Sequence, residues 1–252
     1  MMKKLFLSLV VSLMPLAVFA ASEEGFLDHI ETDMSNKPSL QHGSQLFMNY
    51  CMGCHSLEHG RYNRVAQDLD IPEDIMMENL VFTGDSFGSL MENAMHEDDG
   101  KNWFGTAPPD LTLVARVRGE DWLYTYLRGF YKDDSRPMGV NNVRFPNVGM
   151  PHVLVELQGL CAEEPHPVSD KKFDPLTGQV LTEGGCEHLE VEGALSKSEY
   201  DEAIYDLVNF LDYMGEPFKA DRERIGWMVF AFLAVFLVIG QLLYRELWKD
   251  IH

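Results

Sequence analysis

The sequence predicts a mostly α-helical domain with long loops, carried on one C-terminal transmembrane helix. Three observations predict it. A run without charge, Gly226–Tyr244, lies near the C-terminus. Upstream, apolar residues recur at helical spacing in several segments, and no strand signal is strong. The stretches between those segments are long and rich in Pro, Gly and acidic residues. There are no internal repeats and no low-complexity runs.

The two ends set the topology. The first twenty residues, "MMKKLFLSLVVSLMPLAVFA", place Lys3 and Lys4 before an apolar run that ends in small residues at Ala20 and Ala21. That is a secretory signal peptide over 1–20, of the bacterial export type. The C-terminal run of 19 residues spans about 28 Å as a helix, close to the bilayer's hydrocarbon thickness. Trp227, Tyr244 and Trp248 stand near its ends, where amphipathic rings prefer the interface. It is apolar all round, unlike a core helix with one polar stripe. Lys219, Arg222 and Arg224 before the span balance Arg245 and Lys249 after it, so the flanking charges give no orientation. The signal peptide does. Residues 21–218 form an exported, periplasmic domain, and 219–252 anchor it in the bacterial inner membrane with the C-terminus in the cytoplasm.

The chain of 252 residues has Lys+Arg 20 against Asp+Glu 40, a formal charge of −20. The anchor segment is nearly neutral, so the acidity belongs to the exported domain. Nucleic acid and anionic lipid headgroups are excluded as partners on this ground, whereas a basic protein is suited.

Along the domain, "ETDMSNKPS" leads into "SLQHGSQLFMNYC". There Leu40, Gly43, Leu46, Phe47 and Tyr50 predict a helix running into the first pair of cysteines. "DSFGSLMENAMHE" predicts a second helix, and "GEDWLYTYLRGFY" a third with Trp122, Leu123, Tyr126, Leu127 and Phe130 on one face. Between these two, Pro108–Pro109 imposes an extended approach to a short helix. Ser196 and Glu199 fit a capping box, and Tyr200, Ile204, Leu207, Val208 and Leu211 form the stripe of the last soluble helix. Loops as long as those between the helices need a sizeable body to pack against.

Cys51-Met52-Gly53-Cys54-His55 names that body. C-x-x-C-H is the attachment pattern of c-type haem. Two thiols one turn apart add to the two vinyl groups of the porphyrin, and the following histidine reaches the iron. A dithiol redox site needs no following His and a βαβ setting. A zinc site wants a second ligand pair at matched spacing, and a disulfide between Cys51 and Cys54 would close a very small loop. One covalently attached haem c is therefore expected, held by Cys51, Cys54 and His55 in a cytochrome c-like helical haem domain.

The second axial ligand is open at this level. Met138 in "SRPMGVNN" and Met150 in "FPNVGMPHVL" both stand in Pro- and Gly-rich loops, with Met150 favoured by its flanking Gly149 and Pro151. His42, His96 and His152 are rivals. His/Met ligation closes both axial positions and favours electron transfer over oxygen chemistry. Cys161 and Cys186 remain, and in an oxidising compartment they are expected to pair. The loop would span 26 residues and the bond would contribute about 3 kcal/mol on a chain-entropy basis.

Several segments together resemble cytochrome c1, the haem c subunit of the bacterial ubiquinol–cytochrome c reductase (bc1) complex. They are "YCMGCHSLEHGRYNR", "NLVFTGDSF", "WFGTAPPDLTLVARVRGEDWLYTYLRGFY", "FPNVGMPHVLVELQG" and the C-terminal anchor. The resemblance implies thioethers at Cys51 and Cys54, iron ligation by His55 and Met150, and packing of Ala107–Leu111 on the proximal side of the haem. Arg116 and Arg118 become candidates for the haem propionates. It further implies cytochrome b and Rieske iron–sulfur subunits as partners. Electrons would leave to a basic cytochrome c, steered by acidic patches such as "HEDDG" at 96–100 and "YKDDS" at 131–135. On this reading the chain is no enzyme on its own but an electron-transfer subunit of a quinol:cytochrome c oxidoreductase. The alternatives are a stand-alone tethered class I cytochrome c feeding an oxidase, whose haem domain would be about half this size, and a haem peroxidase, which needs an open iron position or a second haem.

Overall fold

The structure is a computed structural model and describes residues 27–167, 182–183 and 188–249. The expected signal peptide and most of the loop between Cys161 and Cys186 lie outside the described residues. Helix α1 (Lys37–Leu46) starts at Asn36, whose side chain accepts from the Ser39 amide, and Pro38 sits in the first turn where its missing N–H is harmless. The helix runs on as a π-turn, Phe47–Cys51, directly into the cysteine motif. The expected helix into that motif is therefore present, with its last turn widened.

Strand β1 (Leu57–Arg61), α2 (Tyr62–Asp68), α3 (Glu73–Asn79) and β2 (Leu90–Met91) follow. The helix expected over "DSFGSLMENAMHE" is corrected here: β2 pairs antiparallel with β1, and α4 (Glu97–Phe104) begins only at the segment's end. Two side-chain bonds, one long-range and one local, break the helical option. The Asn93 amide donates to Ser56 Oγ, and the Asn93 side chain accepts from the Met95 amide, so the backbone is committed to a turn. Met91 is fully buried by this pairing.

After the Pro-Pro segment come the expected short helix α5 (Val114–Arg118) and α6 (Glu120–Arg128). The expected helix through "GFY" is corrected, because α6 stops before Gly129 and Phe130, expected on its apolar face, starts a strand. Strands β3 (Phe130–Lys132) and β4 (Val140–Asn142), helix α7 (Val155–Gln158), and strands β5 (Gly159–Cys161), β6 (His166–Pro167), β7 (Thr182–Glu183) and β8 (Leu189–Glu192) come next. They make a small sheet of order β4-β3-β5-β8 and a separate β6–β7 pair. These strands hold two to four residues each, too few for alternation to show in the sequence. Gly159, at positive φ, lets β5 approach β8: a Cβ there would lie 2.4 Å from the Val191 carbonyl oxygen. Cys161 in β5 is disulfide-bonded; Cys186, its expected partner, lies outside the described residues.

Helix α8 (Lys197–Gly215) carries the full capping box of Ser196 and Glu199. Its expected stripe, from Tyr200 to Leu211, is buried against α1, α5 and α6. The α1–α8 crossing is close. A Cβ on Gly43 would stand 2.0 Å from the Asp206 carbonyl oxygen and 2.7 Å from Phe210 Cβ. Most polar groups at the crossing are paired, while Asn209 Oδ1 is buried without a hydrogen-bond partner. Asp206 accepts from Ser39 Oγ (2.5 Å) and from His42 Nδ1 (2.7 Å), and the Asn209 amide donates to Ser39 Oγ and to the Asp33 carbonyl, both at 3.0 Å.

The segment before α1 is a strap across α6 and α8. Its Ile30 amide donates to Asp121 and its Asp28 amide to Thr125, and Arg128 is clamped between Asp28 and Asp201 at 2.6 Å each. Helix α9 (Lys219–Trp248) follows α8 after three residues. It is long and apolar enough to cross a membrane over Asp221–Trp248, and nothing in the described chain buries it. It starts earlier than the apolar run because Lys219 pairs with Asp212 and Arg222 with Glu216, tying its first turn to the end of α8.

Substituting Gly43→Ala tests the crossing. Alanine favours an isolated helix by about 1 kcal/mol over glycine, but here its methyl overlaps backbone. The expected outcome is a loss of about 1–3 kcal/mol or more, read as a lower thermal midpoint of the detergent-solubilised protein. A raised midpoint would contradict the packing.

Candidate functional site

The π-turn delivers the cysteines. The Met52 amide donates to the Phe47 carbonyl at 2.9 Å, and the Cys51 carbonyl then accepts from both the Cys54 (3.0 Å) and His55 (2.9 Å) amides. Cys51, Cys54 and His55 thus share one turn. Both thiols are free, with Cys51 buried and Cys54 half-buried. Burial pushes the Cys51 thiol up to about 12 and raises Cys54 too. A dithiol redox pair depends on a lowered thiol pKa, and this pair has the opposite environment. Among the described residues no three His, Cys, Asp or Glu side chains lie together as a bare-metal site.

His55 is oriented by a carbonyl. Its Nδ1 lies 2.7 Å from the Pro109 oxygen. A carbonyl only accepts, so Nδ1 carries the proton and Nε2 keeps its lone pair. Burial lowers the His55 pKa against the opposing pull of that hydrogen bond, so the ring is a neutral imidazole with a ligand-ready nitrogen. The Pro109 carbonyl is itself held in place. The Leu111 amide donates to the Ser56 carbonyl (3.0 Å), and the Asp110 carboxylate accepts from the Glu58 (2.7 Å) and Thr112 (2.9 Å) amides. The Ala107–Leu111 segment therefore packs on the His55 turn.

Met150 sits on a second loop, in a small cluster with Phe130, Val140, Val148, Met138 and Leu160. The Tyr126 hydroxyl donates to its Sδ at 3.3 Å. Burial raises the Tyr126 phenol far above its ordinary range, so it stays a donor. The loop is pre-formed by side-chain amides. Asn142 Oδ1 accepts from the Arg144 and Phe145 amides, Asn141 Oδ1 from Asn147, and Arg136 grips Asn147 twice. Gly149 lies against the segment that reaches His55: a Cβ there would be 3.0 Å from the Phe104 carbonyl oxygen. Residues 104–112 thus touch both the Met150 loop and the His55 turn.

Other candidates are engaged elsewhere. His42 is bonded to Asp206. His152 is buried, stacks on Phe130 at 4.9 Å and donates from Nε2 to the Gly159 carbonyl, and burial lowers its pKa to about 4. His96 is exposed before α4. Arg116 is exposed and lies 3.9 Å from Glu216. Arg118 lies over the Trp122 ring at 5.0 Å. Trp122 in turn stacks on Tyr126 (4.9 Å) and meets Phe145 edge-on. Trp122 Nε1 and Arg144 Nε are buried without a hydrogen-bond partner. The orphaned Trp122 donor, beside the Tyr126–Met150 pair, suits a group that carries carboxylates, as haem does. Tyr126, Asn141, Asn142 and Arg144 were not singled out in the sequence as site residues. The adjacent asparagines before a Pro- and Gly-containing loop were the available sign of a pre-formed turn.

A family profile described as "Cytochrome C1 family" matches residues 83–251, two-thirds of the chain. The chain belongs to the cytochrome c1 family. The match begins downstream of the Cys51–His55 motif, so motif and family are separate observations. Cytochrome c1 of Allochromatium vinosum is 47% identical over the full length of both chains. The "Ammonia monooxygenase gamma subunit" of Nitrosomonas europaea is 40% identical over 98% of each, and cytochrome c1 of Blastochloris viridis 24% identical over 91% of this chain and 89% of its own. A chain of a hyperthermophilic respiratory complex III is covered to 98%, at TM-score 0.42 and 17% identity. The family assignment rests on the sequence relatives.

Asp110→Ala removes the carboxylate that joins the two sides of the His55 turn and leaves two amides unpaired. We expect a loss of about 2–3 kcal/mol, about 1–1.5 for each bond lost, in denaturant unfolding. Asp110→Asn, which keeps one acceptor oxygen, should lose less.

Proposed function

We propose that this chain is the haem c subunit of a ubiquinol–cytochrome c reductase, taking electrons from a Rieske iron–sulfur protein and passing them to a soluble or tethered basic cytochrome c. Its donor set carries the proposal: two free, uncharged thiols and an imidazole with a bare Nε2, all on one turn. Cys51 and Cys54 would tether the haem through thioethers, and His55 Nε2 and Met150 Sδ would hold its iron. Bound there, one haem supplies one-electron chemistry between its ferric and ferrous states.

The chain's own residues do the rest. The Pro109 carbonyl holds the His55 ring in one tautomer. The Phe130–Val148–Leu160 cluster dries the thioether side and Tyr126 holds the sulfur. With both His55 and Met150 on the iron, no position would be left open to oxygen or substrate. Catalysis of quinol oxidation is then left to the cytochrome b and Rieske partners. Residues 1–20 act as a cleaved signal, 21–218 stand in the periplasm, and 219–252 anchor the domain with the C-terminus in the cytoplasm. Acceptor docking draws on the acidic surface. In the two patches Lys101 offsets Glu97 and Asp98, and Lys132 offsets Asp134, so steering comes from the summed field more than from either cluster. Electron transfer to a basic cytochrome c should accordingly slow as ionic strength rises.

Mild-detergent purification of the tagged chain tests the assembly. Haem b alongside haem c, with an iron–sulfur polypeptide in the same peak, is expected. Haem c alone in a monomeric peak would overturn it. The relative named as an ammonia monooxygenase subunit makes other subunits of that enzyme the competing partners to look for in the same preparation. Met150→Leu tests the ligand set. The haem should stay attached, the reduction potential should fall by on the order of 0.1 V within the ~0.8 V that axial ligation spans, and CO should bind the reduced iron. An unchanged potential would remove Met150 from the ligand set.

A further inference from the structure

We propose that Tyr126 is a positioning residue that sets the donor strength of the Met150 sulfur, and that its hydroxyl holds the reduction potential of the site high. This rests on Met150 as the axial ligand. The Tyr126 hydroxyl lies 3.3 Å from Met150 Sδ. A thioether sulfur has two lone pairs, so one can accept from the phenol while the other faces a metal. A hydroxyl donating to that sulfur draws electron density from it. The weakened sulfur supports ferric iron less than ferrous iron, and the reduced state gains.

The tyrosine is built to hold this contact. Its ring stacks on Trp122 (4.9 Å, 11°) on one side and meets Phe130 edge-on (5.3 Å, 67°) on another. Its backbone carbonyl accepts from the Asn142 side-chain amide at 2.8 Å. The same Asn142 organises the start of the Met150 loop through its Oδ1. Donor and acceptor are thus registered by one asparagine, and the hydroxyl has little freedom to turn elsewhere. A rotamer fixed before the metal changes oxidation state is the condition under which such a bond acts on an equilibrium and not only on packing.

Tyr126→Phe keeps the ring and removes only the hydroxyl. The test is an equilibrium redox titration of haem c in the detergent-purified full-length complex. The weak near-infrared ferric absorption of sulfur–iron ligation is recorded alongside it. We expect that absorption in both proteins, an unchanged thermal midpoint, and about a tenfold shift of the one-electron equilibrium toward the oxidised state, which is about 59 mV lower in potential. The absorption in both proteins with equal potentials would overturn the role of Tyr126 and leave Met150 as ligand. Its absence from the wild-type protein would overturn the ligand reading itself, and this inference with it. Its loss only in Tyr126→Phe would show that the hydroxyl keeps the sulfur on the metal, a stronger form of the same positioning role.

Discussion

The close crossing of α1 and α8 at Gly43 is the contact on which the rest of the molecule depends. A Cβ at Gly43 would stand 2.0 Å from the Asp206 carbonyl oxygen, so the position admits no side chain without a shift of backbone. The two helices can therefore meet along buried apolar stripes, Leu40, Leu46 and Phe47 on one and Ile204, Leu207 and Leu211 on the other. One end of α1 becomes the π-turn that bears Cys51. One end of α8 passes, after three residues, into the membrane-crossing α9. The crossing thereby ties the motif turn to the membrane helix through two packed helices and a junction braced by Lys219–Asp212 and Arg222–Glu216. In the proposed role a cofactor must stand at a defined place relative to the membrane helix, and this packing would define it.

The site uses the segment 104–112 as a common rail. It offers a carbonyl to His55, a carboxylate to the Glu58 and Thr112 amides, and a backbone surface to Gly149. Two prolines in that segment carry no N–H and so cannot donate into a strand ladder, and the Pro109 carbonyl accepts from His55. On the far side the Met150 loop is held by asparagine side chains in place of strand pairing. Both halves are thus rigid without regular secondary structure, which is how loops of this length remain ordered.

Electrostatics divide by depth. The surface is strongly acidic, while the buried charges are few and paired: Arg128 between Asp28 and Asp201, and Asp206 with His42 and Ser39. Those buried pairs bind the N-terminal strap and α1 to α6 and α8, where losing one partner would strand a charge. The surface charge is left free to act at long range on a partner.

What the sequence by itself determined is local. Cys51, Cys54 and His55 are so close in the chain that a single turn must bring them together. The capping box at Ser196, the stripe of α8, the Pro-Pro approach to α5 and the uncharged C-terminal run are equally readable, because each is a pattern within one helix or one turn. The tertiary structure alone decided the rest. The bond from His55 to the Pro109 carbonyl joins residues 54 apart, and that from Tyr126 to Met150 residues 24 apart. The helix pattern over 85–97 lost to a two-residue pairing with β1, since burial of Met91 and two side-chain bonds outweighed a weak local preference. The short strands were illegible for the same reason: their stability comes from neighbours, and the neighbours are chosen only once the chain has folded.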